Sequence, residues 1–246
     1  MQKCSGYIMI DAHTHSSGVS RCGRVTPKEL IDQKMEQGYD GMVLTNHCQP
    51  WYYPSKEHAQ YVENLIEEYR IAKAYGDQVG FRVLLGIEVT VLDPGHYDML
   101  IYGATEEMLR ASPCLYEMTQ KQLFDFCNRY GALLVHAHPL RLSFDGKEFG
   151  LADPKYIHGA EINCTPKDLV LKDELLRVAK ENELLVTCGT DYHAPDRTFR
   201  GGMYVPDAVH TATDFAAYLK SASKTELFLE DELVEVEIPA VLQEKI

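Results

Sequence analysis

The chain of 246 residues is long enough for one α/β domain with a large buried core, and its 45% hydrophobic and 25% charged residues are those of an ordinary globular protein. No apolar run approaches the ~20 residues of a membrane span, and a formal net charge of −13 argues against a long footprint on nucleic acid, which needs a basic stripe. Acidity does not exclude a small anionic substrate, because divalent cations gathered by carboxylates and imidazoles make the local field positive whatever the total. The opening MQKCSGYIMIDAH lacks the longer apolar stretch and small-residue cleavage site of a secretory signal. Cys4, Cys22, Cys48, Cys114, Cys127, Cys164 and Cys188 form no CxxC pair, so reduced thiols in a cytoplasmic protein are expected.

In chain order, GYIMID reads as the first strand and leads into DAHTHSSGVSRCG. Thr26-Pro27 reads as an N-cap followed by proline at the first helical position, and apolar spacing through Leu30, Ile31 and Met35 predicts a helix stopped by Gly38. YDGMVLTNH is the second strand, followed by a long helix from Ser55 to Tyr75. Strands at VGFRVLLGIEVTVL and YDMLIYGA precede a helix from Met118 to Tyr130, and GALLVHAHP and HGAEINC follow it. A helix from Lys172 to Glu181, a strand at ELLVTCGTDYH, a helix from Thr213 to Ser221 and a last strand at TELFLE complete the series. The acidic tail Glu230 to Glu237 alternates as a short edge strand with a solvated face would.

Most of the strand runs are almost continuously apolar, which suits strands covered on both faces of a parallel sheet. Their alternation with helices selects an α/β fold, and seven or eight strands favour a barrel over an open sheet. The chain is expected to be a single domain over 1–246.

Residues able to bind metal gather at the C-terminal ends of these strands: Asp11, His13 and His15; His47; Glu88; His136 and His138; Asp191 and His193. In a β/α barrel those ends open onto one face, where active sites form. HxH puts two imidazoles on the same side of an extended segment, so both reach one ion. Glu88, in LLGIEVT, is a carboxylate in an apolar strand, costly unless paired or bound to a cation; a charge at an exposed strand tip is the other reading. Asp191-x-His193 repeats the period-two logic, and the mixed nitrogen and oxygen set suits Zn²⁺, Mn²⁺ or Fe²⁺ better than a thiolate site does.

The order D-x-H-x-H, T-N-H at 47, G-I-E at 88, H-A-H-P at 138 and G-T-D-x-H at 193 resembles the PHP family, named for polymerase and histidinol phosphatase. The match runs from about residue 8 to about residue 195. The resemblance implies a distorted (β/α)7 TIM-like barrel holding two to three divalent ions, with phosphoester hydrolysis as the usual activity. It implies that His13, His15, Glu88 and Asp191 hold one metal, that Glu88 bridges to a second held by His138, and that His47 and His193 hold a third. For a further ligand of the second ion, Asp98 is preferred and His96 is the runner-up. His136 is either a supporting catalytic partner or the ligand in place of His138.

Two departures from the family pattern stand out: Asn46 replaces the aspartate of T-D-H, and no carboxylate or imidazole lies between Ser16 and Lys28, where Cys22 is the strong donor. Arg141, directly after HAHPL, is a candidate catalytic clamp for phosphate, since a planar guanidinium fork binds two oxygens; a surface arginine is the alternative. Arg21, Arg24, Arg197 and Arg200 are further anion-binding candidates, and Asn163 either binds substrate or caps its loop. Pro50-Trp-Tyr-Tyr-Pro54 forms an aromatic wall or packs against the following helix.

The leading expectation is a metal-dependent phosphoesterase that hydrolyses a small phosphorylated substrate with a metal-activated hydroxide. The alternatives are a 5'-3' exonuclease or oligonucleotide phosphodiesterase, disfavoured by the charge, a carboxyl or amide hydrolase, and a non-catalytic metal-bound barrel that binds a ligand.

Overall fold

The computed structural model describes residues 6–142, 150–230, 232–240 and 242. Among them eleven strands form one sheet: β1 (Tyr7–Thr14), β2 (Gly41–Leu44), β3 (His47–Cys48), β4 (Arg82–Val91), β5 (Tyr97–Tyr102), β6 (Leu133–His136), β7 (Gly159–Asn163), β8 (Leu185–Gly189), β9 (Gly201–Pro206), β10 (Lys224–Leu229) and β11 (Glu232–Glu237). Seven of them, in the order β1-β2-β4-β5-β6-β7-β8, curve into a nearly closed barrel, while β3 pairs with β4 at the mouth. Closure is completed where Thr14 bridges Tyr192, with His15 N–H donating to the Tyr192 carbonyl at 2.9 Å. The fold is the distorted TIM-like barrel expected from the sequence.

Two features depart from that expectation. First, β5 runs antiparallel to both β4 and β6, so its N-terminal end faces the mouth to which the other strands bring their C-terminal ends. Second, β9 was not anticipated from the sequence. It pairs antiparallel with Tyr7–Ile10 of β1 and continues through β10 into β11, which is the edge strand predicted for the acidic tail.

Helices cover the outside. Helix α1 (Pro27–Glu36) opens with a capping box in which Thr26 and Glu29 satisfy each other's backbone N–H groups. Helix α2 (His58–Val79) buries Tyr61, Val62, Leu65, Ile66 and Ala72 on one face and ends at Gly80, whose φ of 76° is open to glycine without steric cost. The short α3 (Glu106–Arg110), then α4 (Gln120–Arg129), the short α5 (Pro166–Leu169), α6 (Lys172–Glu181) and α7 (Ala212–Ser221) complete the set. The short α3 and α5 fall below the length at which periodicity is readable. No helix among the described residues is long and apolar enough to cross a membrane.

Helix α1 turns differently from its apolar pattern. Met35 is exposed and Lys34 is fully buried, its ammonium 2.6 Å from Asp11 Oδ2 and above the rings of Tyr39 and Tyr192. Asp11 also accepts from the Thr190 N–H and hydroxyl and from the His13 N–H, so one carboxylate ties β1 to the end of β8. It serves as an anchor beneath the mouth and belongs to none of the donor groups described below. Burial pushes the Lys34 value down, and Asp11 pulls it partly back. Lys34→Met leaves Asp11 charged and unpaired, and chemical denaturation is expected to show a loss on the order of 3–5 kcal/mol. The double variant with Asp11→Asn loses less than the two single changes summed.

Candidate metal centre

Strand register assembles the site. β3 places His47 opposite Glu88, and the reversed β5 places Asp98 opposite Thr90, two residues along β4 from Glu88. His13 and His15 come from the end of β1, while Asp191 and His193 follow β8 where it meets that end. His138 and Asp191 adopt positive φ values of 35° and 52°, a conformation that non-glycine residues rarely take and that concentrates at functional sites.

The side chains fall into three groups of converging donors: His13, His15, Glu88 and Asp191; Glu88, Asp98 and His138; and His15, His47 and His193. In the first group, His13 Nε2 lies 3.0 Å from His15 Nε2, 3.3 Å from Glu88 Oε2 and 3.5 Å from Asp191 Oδ1. His15 Nε2 lies 3.2 Å and 3.3 Å from the same two oxygens. A tetrahedron whose donors stand ~2.1 Å from a central ion has edges of roughly 3.4 Å, which these separations match. Glu88 is fully buried, yet its Oε2 lacks a hydrogen bond despite His47 Nδ1 at 2.8 Å, and that nitrogen lacks one too. Close donors that face each other without hydrogen-bond angles are the arrangement expected of ligands to a shared cation, so the residues present fit divalent metal.

Electrostatics point the same way. Burial alone would raise the Glu88 carboxyl, but the His47 and His13 imidazoles hold it well below the usual range. Asp191 is depressed despite its burial by His193 and Arg141. Burial would lower His13 and His47, yet the surrounding carboxylates raise both: Glu161, Glu88 and Asp191 around His13, and Glu88 beside His47. A field that draws protons onto imidazoles also draws cations.

The structure separates the alternatives that the sequence left open. Asp98 joins the second group and His96 does not; the His96 ring stands against Trp51 at 5.7 Å. His138 Nε2 lies 3.3 Å from Glu88 Oε1. His136 falls outside all three groups and outside the cavity lining: its Nδ1 accepts from the Ala152 N–H at 3.2 Å and its ring packs edge-on against Tyr97.

A cavity of about 530 Å³ opens over the groups, lined by Arg21, Arg24, Arg141 and Arg197 together with Cys22, Tyr52 and metal-competent residues. Arg141 is already engaged: Nε and Nη2 donate to Asp168 Oδ2, and Nη1 to Asp191 Oδ2 at 3.0 Å. Arg197 donates to the Asp191 carbonyl, and Arg21 donates to the Tyr52 carbonyl at 2.6 Å while sitting over that ring. Arg200 stacks on Phe228 away from the cavity. Asn163 is buried, accepting from the Thr165 N–H and donating to Glu161, and it does not line the cavity; it caps its loop. The aromatic segment divides its roles. Tyr53 stacks on Tyr61 of α2 at 4.0 Å, Tyr52 lines the cavity and Trp51 is half-exposed at the rim.

Burial would push the Cys22 thiol up, but hydrogen bonds with His193 and His47 bring it down to about 6. Asn46 accepts from the Ser16 N–H and the Ser20 hydroxyl and donates to Ser16 Oγ, the last of which an aspartate could not do. Cys4 lies outside the described residues, and the six other cysteines are free thiols.

Glu161, a fully buried carboxylate in β7, was missed in the sequence. Its Oε1 lies 2.8 Å from His13 Nδ1, which turns His13 Nε2 toward the first group, and its Oε2 accepts from the His138 N–H at 3.2 Å. A side chain on Gly189 would collide with both His13 and Glu161, so the close packing depends on that glycine. The signal available was a lone charge in the apolar run HGAEINC, the same signal that singled out Glu88.

No protein-family model matches this sequence, and no curated protein matches it. Solved structures do. A two-domain protein from Bacteroides vulgatus containing a predicted PHP-like metal-dependent phosphoesterase superposes with a TM-score of 0.63 at 19% identity, covering 95% of this chain and 68% of that one. An amidohydrolase from Chromobacterium violaceum, with bound sulfate and no metal, matches at 0.55 and 15% identity over 91% and 98% of the two chains. The lesion-specific endonuclease PfuEndoQ from Pyrococcus furiosus matches at 0.54 and 12% identity over 90% of this chain and 57% of its own. The likeness is one of fold, and the fold is PHP-like.

Glu161→Gln is expected to weaken divalent-metal binding on the order of 10- to 100-fold by competition with a chromogenic chelator, with the fold retained by circular dichroism. For His136, burial and then the neighbouring His138 lower the value to about 3. The unfolded chain therefore takes up this proton first, near pH ~6.5, and the stability His136 contributes above that pH is lost as pH falls toward its folded value. His136→Asn, which keeps an acceptor for Ala152, is expected to show a shallower acid loss of stability in denaturation curves from about pH 6.5 to about pH 5.

Proposed function

We propose that the chain is a PHP-type metal-dependent phosphoesterase that hydrolyses a small phosphorylated molecule. The observation that carries this reading is the pair of donor groups sharing Glu88, set beneath a cavity ringed by four arginines in a protein of net charge −13. Divalent ions held there would lower the pKa of a water molecule and neutralise charge on a phosphoryl group. In this reading His13, His15, Glu88 and Asp191 hold one ion, and Glu88, Asp98 and His138 hold the second.

The rest of the chemistry belongs to the cavity wall. Asp168 holds Arg141 by two of its nitrogens, so its fork is oriented before any ligand arrives. Its third nitrogen, on Asp191, can turn to a phosphate oxygen. Arg21, Arg24 and Arg197 bring further positive charge to the same rim, which favours an anionic leaving group, and Tyr52 offers it an aromatic face. The phosphoesterase and endonuclease descriptions of the structural neighbours support phosphoester chemistry, and the acidity of the chain supports a small substrate over a polymer.

Metal-restored protein assayed against phosphate monoesters, phosphate diesters and a labelled oligonucleotide is expected to turn over a small ester and to stop when chelator is added. Absence of any chelator-sensitive phosphoester hydrolysis overturns the reading. Arg141→Lys is expected to lower kcat/KM about 10- to 100-fold, the equivalent of one lost charge-assisted contact, while metal content measured by plasma spectrometry stays at the wild-type level.

A further inference from the structure

Glu68 is a buried carboxylate on α2 that belongs to none of the donor groups and does not line the cavity. A chain of hydrogen bonds leads from it to the site. Ser16 Oγ donates to Glu68 Oε1 at 2.5 Å, and the Gly18 N–H donates to the same oxygen at 2.9 Å. Ser16 Oγ in turn accepts from Asn46 Nδ2 at 3.2 Å, while Asn46 Oδ1 accepts from Ser20 Oγ and from the Ser16 N–H, each at 2.9 Å. Having given its one proton to Asn46, the Ser20 hydroxyl can only accept from its other neighbours, the His47 N–H at 2.8 Å and His15 Nδ1 at 3.4 Å. His15 therefore carries its proton on Nδ1, and Nε2, the nitrogen that faces Glu88 and Asp191, is left bare. Burial raises the Glu68 carboxyl, and the Ser16 hydroxyl and the Gly18 N–H oppose the rise. A side chain on Gly18 would strike that carboxylate, so the loop after His15 is wrapped closely around it.

We propose that Glu68 is a positioning residue for the first donor group: through Ser16, Asn46 and Ser20 it fixes the His15 proton on Nδ1 and so presents Nε2 to the ion. The inference rests on the metal-binding part of the proposed function and is independent of what the cavity hydrolyses. The chain has a direction. The Asn46 amide donates toward Glu68 and accepts from Ser20, so it passes the polarity of the carboxylate on toward His15. An aspartate at 46 would leave two carboxylates competing for the single Ser16 hydroxyl proton. By holding Ser16 and Gly18, the same carboxylate also steadies the loop that carries Arg21 and Arg24 to the cavity.

Long-range proton–nitrogen NMR of the full-length zinc-loaded protein gives a direct readout. The expected result is His15 bound to zinc through Nε2, with a slowly exchanging proton on Nδ1. Ser20→Ala is expected to lose that protection and to weaken zinc binding about tenfold by chelator competition, with the fold retained by circular dichroism. Glu68→Gln is expected to move the Nδ1 proton upfield and speed its exchange, and Asn46→Asp to lower the midpoint of chemical denaturation. The double variant of Asn46→Asp with Glu68→Gln moves the one carboxylate from 68 to 46 and gives Ser16 an amide donor in return, so it is expected to recover both properties. Local packing by Glu68 alone would not shift a proton on His15. Zinc on His15 Nδ1, a His15 proton indifferent to Ser20→Ala and Glu68→Gln, or a double variant no better than its worse parent overturns the proposal. Zinc held through Nε2 without any ester turnover overturns the proposed hydrolysis alone, and failure of the unmodified protein to bind zinc overturns both.

Discussion

Glu88 sits in a barrel wall with no access to water, and a carboxylate cannot remain ionised there without positive charge close on several sides. Most of the mouth is arranged around that constraint. His13, His15, His47 and His138 all approach within 3.3 Å of its oxygens. His13 and His15 have further partners in Glu161 and the Asp191 carboxylate. These added carboxylates need compensation in turn, which Arg141 gives to Asp191. The result is a closed set of opposite charges with little slack. Truncating Glu88 would take the shared carboxylate from four imidazoles at once.

The barrel is distorted where this set requires it. A regular parallel strand in place of β5 would carry Asp98 to the far end of the barrel; running antiparallel, it presents Asp98 beside Glu88. The antiparallel strand β9 occupies the first half of β1, and the segment that follows β8 bridges the end of β1, Thr14 to Tyr192, at the level of the site. The sheet is therefore sealed at the mouth by the same residues that supply the donors, and His13, Thr14, His15, Asp191 and Tyr192 are structural and chemical at once.

Much of this was legible in the sequence because strands repeat with period two and helices declare their ends. The strand runs, the Thr26 cap and the ordered His, Glu and Asp motifs all announced themselves locally. The rest depends on tertiary context. Strand direction leaves no mark in an apolar run, so YDMLIYG read like its parallel neighbours. Lys34 lies on what pattern alone takes for the edge of an apolar stripe, and its inward turn follows from Asp11, distant in sequence. Period two predicted that His136 and His138 point the same way. β6 ends at His136, and the positive φ at His138 redirects the second ring toward Glu88 while the first stays in the wall. Glu161 is a lone charge in an apolar strand, and its role comes from a contact with His13, distant in sequence.

The ribbon that leaves β1 ends in β11, whose outer edge is the open margin of the sheet among the described residues. Glu232, Glu235 and Glu237 stand along it, exposed, and the lysines nearest to them, Lys172 and Lys224, come from elements within the same chain. A second copy adding its own β11 antiparallel to this edge would set glutamate against glutamate. An exposed strand edge invites such pairing, and here like charges oppose it. Like charges along the acidic tail oppose growth of the sheet beyond its own chain.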